Sequence, residues 1–404
     1  MDSVKRRETV VVMKSNLVSV CDFGAKGNGF DDDYIAFQRA FDSGAKEISV
    51  PFGTYNISTS LKVGSDIKIK ADRCAKIKFC PEKRCERNDF LLSNKNVSTG
   101  DMNICIEGGI WDGNNTSEYT AKPDILDTLG YSGTVLNFIN VKKLKLKNIV
   151  VANSTTYYIR MSKIEDFVIE DIDFISDEYG HNQDGLHFGG EVRKGKVKNI
   201  RALSFGQTND DMIALNADDA LNRVENLDLV NGTIEDITFE NIYAENCFTV
   251  VRMLSIDSAI RNIKFKNIYA GYRNYAINMD GARYCKIPLF DDKDRPFGVG
   301  NVENVRFENF SCYPVYEPIS SSHAGRHDPR YAICVESKCK KLEIQGFKRF
   351  GASSGDGSLS LHMKNVADTK VLADGKEFAL INKSDELSLE DCNNIIIDDT
   401  SFGG

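Results

Sequence analysis

The sequence predicts an all-β fold: a single-stranded right-handed parallel β-helix, or β-solenoid, with a short N-terminal capping helix. Three observations carry that expectation. A short apolar phrase recurs down the chain, the steps between copies leave no room for an intervening helix, and one amphipathic helical pattern stands near the N-terminus.

The phrase is apolar–x–apolar–x–Asn–apolar. It is clear at Leu144, Leu146, Asn148 and Ile149, and again at Phe167, Ile169, Asp171 and Ile172. Val197, Asn199 and Ile200 repeat it, as do Ile237, Phe239, Asn241 and Ile242, then Ile263, Phe265, Asn267 and Ile268. Val305, Phe307, Asn309 and Phe310 form a later copy, and Leu342, Ile344, Gly346 and Phe347 a faded one. Alternation with period two marks each copy as a strand with one buried face. The shortest steps between Asn-equivalent positions are 23, 26 and 28 residues. That suits one coil of two or three short strands, whereas a propeller blade needs roughly 40 residues or more. Steps of 37 and 42 residues are coils with long loops, or pairs of coils. An Asn at a sharp bend tolerates left-handed backbone geometry. Stacked coils would set these amides in a hydrogen-bonded ladder.

Asp31 to Ala45 carries Ile35, Phe37, Ala40 and Phe41 near helical spacing, and Asp31 to Asp33 suit the start of a helix. A lone helix before a solenoid reads as a cap on the open end of its core. Ile48 to Tyr55 then reads as strand, turn, strand. No Pro-, Ser- or Gly-rich linker divides the chain. Residues 1–404 are therefore expected to form a single unit, with an N-terminal cap region (1–55), coils (56–350) and C-terminal coils or cap (351–404).

The formal net charge is -8, which argues against neutralising nucleic-acid phosphates. Lys142, Lys143, Lys145 and Lys147 alternate with Leu144 and Leu146, so this basic run is the solvent face of a strand. The apolar part of the N-terminus, Val10 to Met13, is too short for a signal-peptide core, and no run approaches a membrane span. The 11 cysteines show no regular framework. Cytoplasmic location with reduced thiols is the expectation. Cys74, Cys80, Cys85 and Cys105 lack CxxC spacing and read as buried small hydrophobes.

The N-terminal region also resembles a known opening. Asp22-Phe23-Gly24-Ala25-Lys26-Gly27-Asn28-Gly29, Asp31-Asp32, a helix and then Val50-Pro51-Phe52-Gly53-Thr54-Tyr55 are similar to the start of the pectate-lyase-like β-helix superfamily. That superfamily includes lyases, hydrolases, epimerases and tailspikes. Farther on, Asn182-Gln183-Asp184-Gly185, Asn209-Asp210-Asp211-Met212-Ile213-Ala214 and Val251-Arg252-Met253-Leu254 resemble, in order, three motifs of glycoside hydrolase family 28, the polygalacturonases. The Gly-His-Gly element of that family is missing between Asn216 and Asn246. Leu254 replaces the lysine that the resemblance would assign to a substrate carboxylate, which counts against a uronic-acid substrate.

Glycosidic cleavage needs a proton for the leaving oxygen and a base for water, or a nucleophile. Crowded carboxylates supply both, because crowding keeps one of them protonated. Asp184 precedes Asp210 and Asp211 by 26 and 27 residues, about one coil, so the three can meet on one sheet face. Asp210 and Asp211 are adjacent, and converge only where the backbone bends, as at Gly206 to Asn209. The resemblance implies that Asp211 is the general acid and that Asp184 and Asp210 activate water in an inverting reaction. The alternative for each is a turn or surface aspartate.

Arg252, inside a strand, is a clamp for a sugar oxygen or carboxylate, or a surface residue. Asn182 orients substrate or caps a turn. His187 alternates with Leu186 and Phe188, which points it away from the core as a solvated histidine or a partner to a carboxylate. His181 also flanks Asp184. Tyr284 follows a stretch similar to one where the family places a substrate-facing tyrosine, or packs in the solenoid. The polar loop Ser320 to Asp328 either overhangs the groove or is plain surface, and Asp112 to Gly133 is a loop able to close one end of it.

The leading expectation is a glycoside hydrolase acting on an oligosaccharide, pectin-derived or related, with no cofactor or metal. One alternative is a polysaccharide lyase or epimerase that uses the aspartates for calcium. The other is a non-enzymatic, tailspike-like carbohydrate-binding protein. The expected partner is an oligosaccharide rather than nucleic acid or membrane, and the chain is a monomer or trimer.

Overall fold

The computed structural model describes residues 16–82, 90–115, 134–180, 182–219, 221, 229–282, 289–291, 293–296, 298–316, 331–351, 359–364, 366–373, 387–390, 392–397 and 400–402. Almost all of its regular structure is strand, stacked in parallel register coil upon coil. Leu136–Ala152 pairs with Ile159–Ile175, which pairs with Val192–Ala202, then Ile234–Leu254, Ile260–Asp280, Val302–Pro314 and Cys339–Arg349. One antiparallel pair, Asn393–Ile397 with Thr400–Phe402, stands at the C-terminal end. Among the described residues no helix is long and apolar enough to cross a membrane.

The recurring phrase explains this stacking. Leu146, Ile169, Val197, Phe239, Phe265, Phe307 and Ile344 occupy one register column and are essentially fully buried. Phe239, Phe265 and Phe307 lie face to face at 4.6 and 4.8 Å. Burying each such ring stabilises the coil by about 1.5–3 kcal/mol. One apolar cluster runs from Val20 to Ile395. Lys142, Lys143 and Lys145 are exposed while Leu144 and Leu146 are buried, as the alternation requires.

The bend residues behave as expected. Asn148, Asp171, Asn199, Asn241, Asn267 and Asn309 have φ between 52° and 59°, and Gly346 has 63°. Their amides form a ladder: Asn199 Nδ2 donates to Asp171 Oδ1 at 2.8 Å, Asn241 to Asn199 at 2.8 Å, Asn267 to Asn241 at 3.1 Å and Asn309 to Asn267 at 3.0 Å. These bonds also show that the long steps are single coils with inserted loops, because Asn199 and Asn241 are ladder neighbours. A second bend lies five residues earlier in each coil, at Lys143, Asp166, Lys194, Asp236, Asn262, Asn304 and Lys341, all in the left-handed region. It escapes a search for Asn because lysine and aspartate share the position.

The helix spans Tyr34–Asp42 and buries Ala36, Phe37, Ala40 and Phe41 in the main cluster, with Phe37 edge-on to Tyr55 at 5.1 Å. Asp33 stands at its N-cap but does not cap it. Its carboxylate accepts from the backbone of Lys26 and Gly27 at 2.6 and 3.1 Å, tying the preceding turn to the helix. The nine described cysteines are free thiols. The expectation that Cys74, Cys80 and Cys105 are buried is corrected: Cys74 is exposed in a turn, while Cys80, just past the strand Lys76–Phe79, and Cys105, on the outward side of Asp101–Glu107, are half-buried. Cys85 lies outside the described residues.

Candidate active site

One sheet of the coil is built from Leu186–Phe188, Asp211–Asn216 and the C-terminal parts of Ile234–Leu254 and Ile260–Asp280. Its inward column is Leu186, Ile213, Val251 and Ile277; its outward column is His187, Ala214, Arg252 and Asn278. Leu186 pairs with Ile213, so the coil offset is 27 residues and Asp184 falls beside Asp211. The backbone follows that offset: Gly185 N donates to Asp211 O at 2.9 Å, and Asp211 N donates to Asp184 Oδ1 at 3.2 Å.

Asp184, Asp210 and Asp211 each bring a carboxylate oxygen to within 4.8 Å of the other two. Asp210 joins the group because it sits in a bend, one residue before the strand starts at Asp211. The bend is held by a residue that sequence reasoning missed. Arg273 is buried and donates to Gly206 O (3.1 Å), Asn246 O (3.0 Å), Asn246 Oδ1 (3.2 Å) and Asn209 Oδ1 (2.8 Å). Asn209 in turn donates to Gly180 O at 2.8 Å, and Thr208 Oγ1 donates to Asp210 O at 3.0 Å. An arginine between Tyr272 and Asn274, inside a strand pattern, was the available signal.

His187 points outward as its alternation requires, but it is not solvated. It is 1% exposed, with Nδ1 at 2.6 Å from Asp184 Oδ2 and its ring stacked on Tyr157 at 4.1 Å. Nε2 faces Asp219 at 3.9 Å. Sequence reasoning named neither as a neighbour: Tyr157 is one coil before Asp184, by the register of Ile159 with Leu186, and was within reach of the coil spacing, whereas Asp219 lies in a turn beyond the strand Asp211–Asn216. Burial lowers His187 to about 4, so the ring is neutral near neutral pH.

Burial, and after it the Asp210 charge, raise Asp184 well above the ordinary carboxylate range. Burial followed by the charges of Asp210 and Asp184 does the same to Asp211. Removing a carboxylate from water disfavours its charged form, and like charges nearby add to the effect. Such a cluster retains protons at a pH where an exposed aspartate has lost them.

Arg252 is committed to carboxylates of the chain itself. Its Nη2 and Nε lie 3.1 and 3.2 Å from Asp280 Oδ2, and Nη1 lies 3.6 Å from Asp211 Oδ2. Asp280 is a further member of the site that sequence reasoning missed. Leu254, at the position of the family lysine, is fully buried in an outer apolar cluster with Ile256, Ala282, Leu289, Phe290 and Val299. Asn182 has φ of 52°, the geometry of a turn residue. Tyr284, His181, residues 320–328 and residues 116–133 lie outside the described residues.

A coil of parallel strands with an acid cluster on one outer sheet defines the class: a β-helix protein with a carboxylate site. Within that class the chain belongs to the rhamnogalacturonase A/epimerase, pectate lyase-like family, which it matches over residues 17–273. It is 24% identical over 315 residues to a polygalacturonase of Persea americana, covering 75% of this chain and 60% of that protein. It is 40% identical over 100 residues to the preneck appendage protein of Bacillus phage PZA, 24% of this chain but 11% of the phage protein. The chain thus spans a small part of the appendage protein and less than two thirds of the polygalacturonase. A family 28 exopolygalacturonase of Yersinia enterocolitica superposes with TM-score 0.57 at 14% identity, covering 95% of this chain and 78% of that one. The N-terminal fragment of bacteriophage phi29 gene product 12 gives 0.55 at 16% identity, covering 95% and 73%. At these identities the structural likenesses bear on the fold alone.

Proposed function

We propose that this protein hydrolyses glycosidic bonds of an oligosaccharide, pectin-derived or related, with Asp184, Asp210 and Asp211 as the reacting groups. The observation that carries the reading is the meeting of three carboxylates within 4.8 Å, two of them buried and raised in pKa. A protonated buried carboxyl donates to the leaving oxygen, and an ionised neighbour takes a proton from water. In this reading Asp211 is the acid, and Asp184 with Asp210 holds the water. His187 orients Asp184 through its 2.6 Å bond. The coil winds right-handed, the hand that parallel strand connections take.

Oxygens within 4.8 Å are closer than the roughly 6.5–9.5 Å that usually separates an inverting acid and base with water between them. A third carboxylate relaxes that requirement, because the water can sit against Asp184 and Asp210 instead of between acid and base. The separation itself is nearer the roughly 5–5.5 Å of retaining pairs; we propose inversion on the resemblance to family 28, and the anomeric configuration of the first product, read by NMR, decides it.

The same three oxygens fit a hard cation such as calcium, which takes carboxylate ligands. Bound there, it would acidify the α-proton of a uronate for a lyase or epimerase. The 100-residue likeness to a phage appendage protein leaves room for a third reading, a carbohydrate binder without turnover. Acidic and neutral oligosaccharides, assayed for reducing ends and for unsaturated products with and without a chelator, separate the three. Release of reducing ends that survives chelation, and falls by about 10²–10⁴ in Asp211→Asn while binding persists, is the expected outcome. Unsaturated product that needs calcium, or no turnover by the unaltered protein, would refute it.

A further inference from the structure

The strand Ile234–Leu254 carries two outer surfaces. Arg252 faces the acid cluster, while Tyr243 stands on a different face, before the register shifts between Ala244 and Thr249. On that second face Tyr243 and Tyr269 are register partners with parallel rings 6.1 Å apart, and they remain 37% and 48% exposed. They flank a depression of about 450 Å³ whose other walls include Asn199, Asn241, Asn267 and Arg201. Its volume lies within the range of small-molecule sites.

The chemistry of this depression is specific. Each ladder carboxamide has two N–H donors and an oxygen with two lone pairs, and the ladder uses one donor of each. The amides therefore repeat hydrogen-bonding capacity once per coil, along the coil axis, at the spacing between adjacent strands. That rise is close to one pyranose residue of an extended glycan. The tyrosine rings on the neighbouring column offer apolar surface with a polar tip, suited to a sugar's C–H face and hydroxyls. Arg201 is paired in bidentate fashion with Asp173 at 2.6 and 2.7 Å, and Asp171 adds negative charge at the end of the ladder. The walls thus favour an uncharged ligand over a polyuronate.

We infer that this amide-and-tyrosine face is a second carbohydrate-binding site, separate from the acid cluster, that holds an uncharged extended oligosaccharide along the coil axis. The site does not depend on the hydrolase reading, since it would bind even if the aspartates did no chemistry.

The test uses the full chain carrying Asp211→Asn, so that no ligand is consumed, and calorimetric titration with xylohexaose, cellohexaose and hexagalacturonate. One of the uncharged hexasaccharides is expected to bind, and adding Tyr243→Ala and Tyr269→Ala should weaken it about tenfold or more, as loss of two aromatic contacts implies. Both tyrosines are exposed, so the variant should keep the wild-type circular dichroism spectrum. With Asp211 restored, the two tyrosine substitutions should leave the hydrolysis of short oligosaccharides unchanged. The inference is overturned if neither uncharged probe binds, if the tyrosine substitutions leave affinity unaltered, or if sedimentation shows that the tyrosines join two copies of the chain. Failure of Asp211→Asn to reduce turnover would instead count against the hydrolase reading alone.

Discussion

Replacing Asn241 by alanine tests whether the bend ladder is a source of stability or a passive result of stacking. Asn241 has φ of 59°, donates to Asn199 at 2.8 Å and accepts from Asn267 at 3.1 Å. Two lost hydrogen bonds cost about 1–3 kcal/mol together at the usual net value. Forcing a Cβ without a helpful side chain into the left-handed region costs about 1–2 kcal/mol more. Asn241→Ala should therefore lose about 2–5 kcal/mol. Asn241→Gly removes the same two bonds but accepts the backbone geometry, so it should be more stable than the alanine variant. Urea unfolding followed by far-ultraviolet circular dichroism measures both. If alanine proves as stable as glycine, backbone strain at the bend is not what selects asparagine; if glycine proves as stable as the unaltered protein, the ladder bonds contribute nothing and the ladder argument fails.

The acid cluster should weaken the fold at neutral pH. Asp184 and Asp211 have folded-state values above the ordinary 3.8. Their contribution to stability is full below the unfolded value and is lost as pH rises through the folded one. Asp211→Asn should therefore melt higher than the unaltered protein at pH 7, with a smaller gap near pH 4; a gap that shrinks on raising the pH contradicts the buried-acid reading. His187→Phe keeps a ring against Tyr157 but deletes the bond to Asp184. Asp184 should then ionise at higher pH, moving the acid limb of the kcat/KM profile upward, and an unmoved limb would reduce His187 to a packing role. Arg273→Met should cut kcat more than the thermal midpoint alone explains, through release of the Asn209–Asp210 bend; unchanged kcat in folded variant protein would show that the bend holds itself.

The coil and the acid cluster were legible in the sequence for the same reason. Alternation of apolar residues, left-handed bends and a one-coil spacing between Asp184 and Asp211 are all short-range or periodic demands. Parallel register turns a spacing along the chain into a neighbour in space, so Leu186 opposite Ile213 follows once the period is known. The N-terminal helix was legible from its apolar stripe, although Asp33 proved to serve the turn before it. The second bend was hidden because lysine, aspartate and asparagine alternate there.

The sequence by itself determined the repeat, the inward faces and which aspartates stack, because these depend on local backbone preference and a fixed period. The tertiary structure alone decided that Arg273 clamps the bend, that Arg252 turns to Asp280, that Tyr157 covers His187 and that Ala282, Leu289, Phe290 and Val299 bury Leu254 in a cluster of their own. Arg252 and Asp280 sit on adjacent paired strands, where the choice of side-chain partner is not periodic, and the cluster around Leu254 joins segments through loops of unequal length. A loop's path is set by what it packs against, and no periodicity in the chain records it.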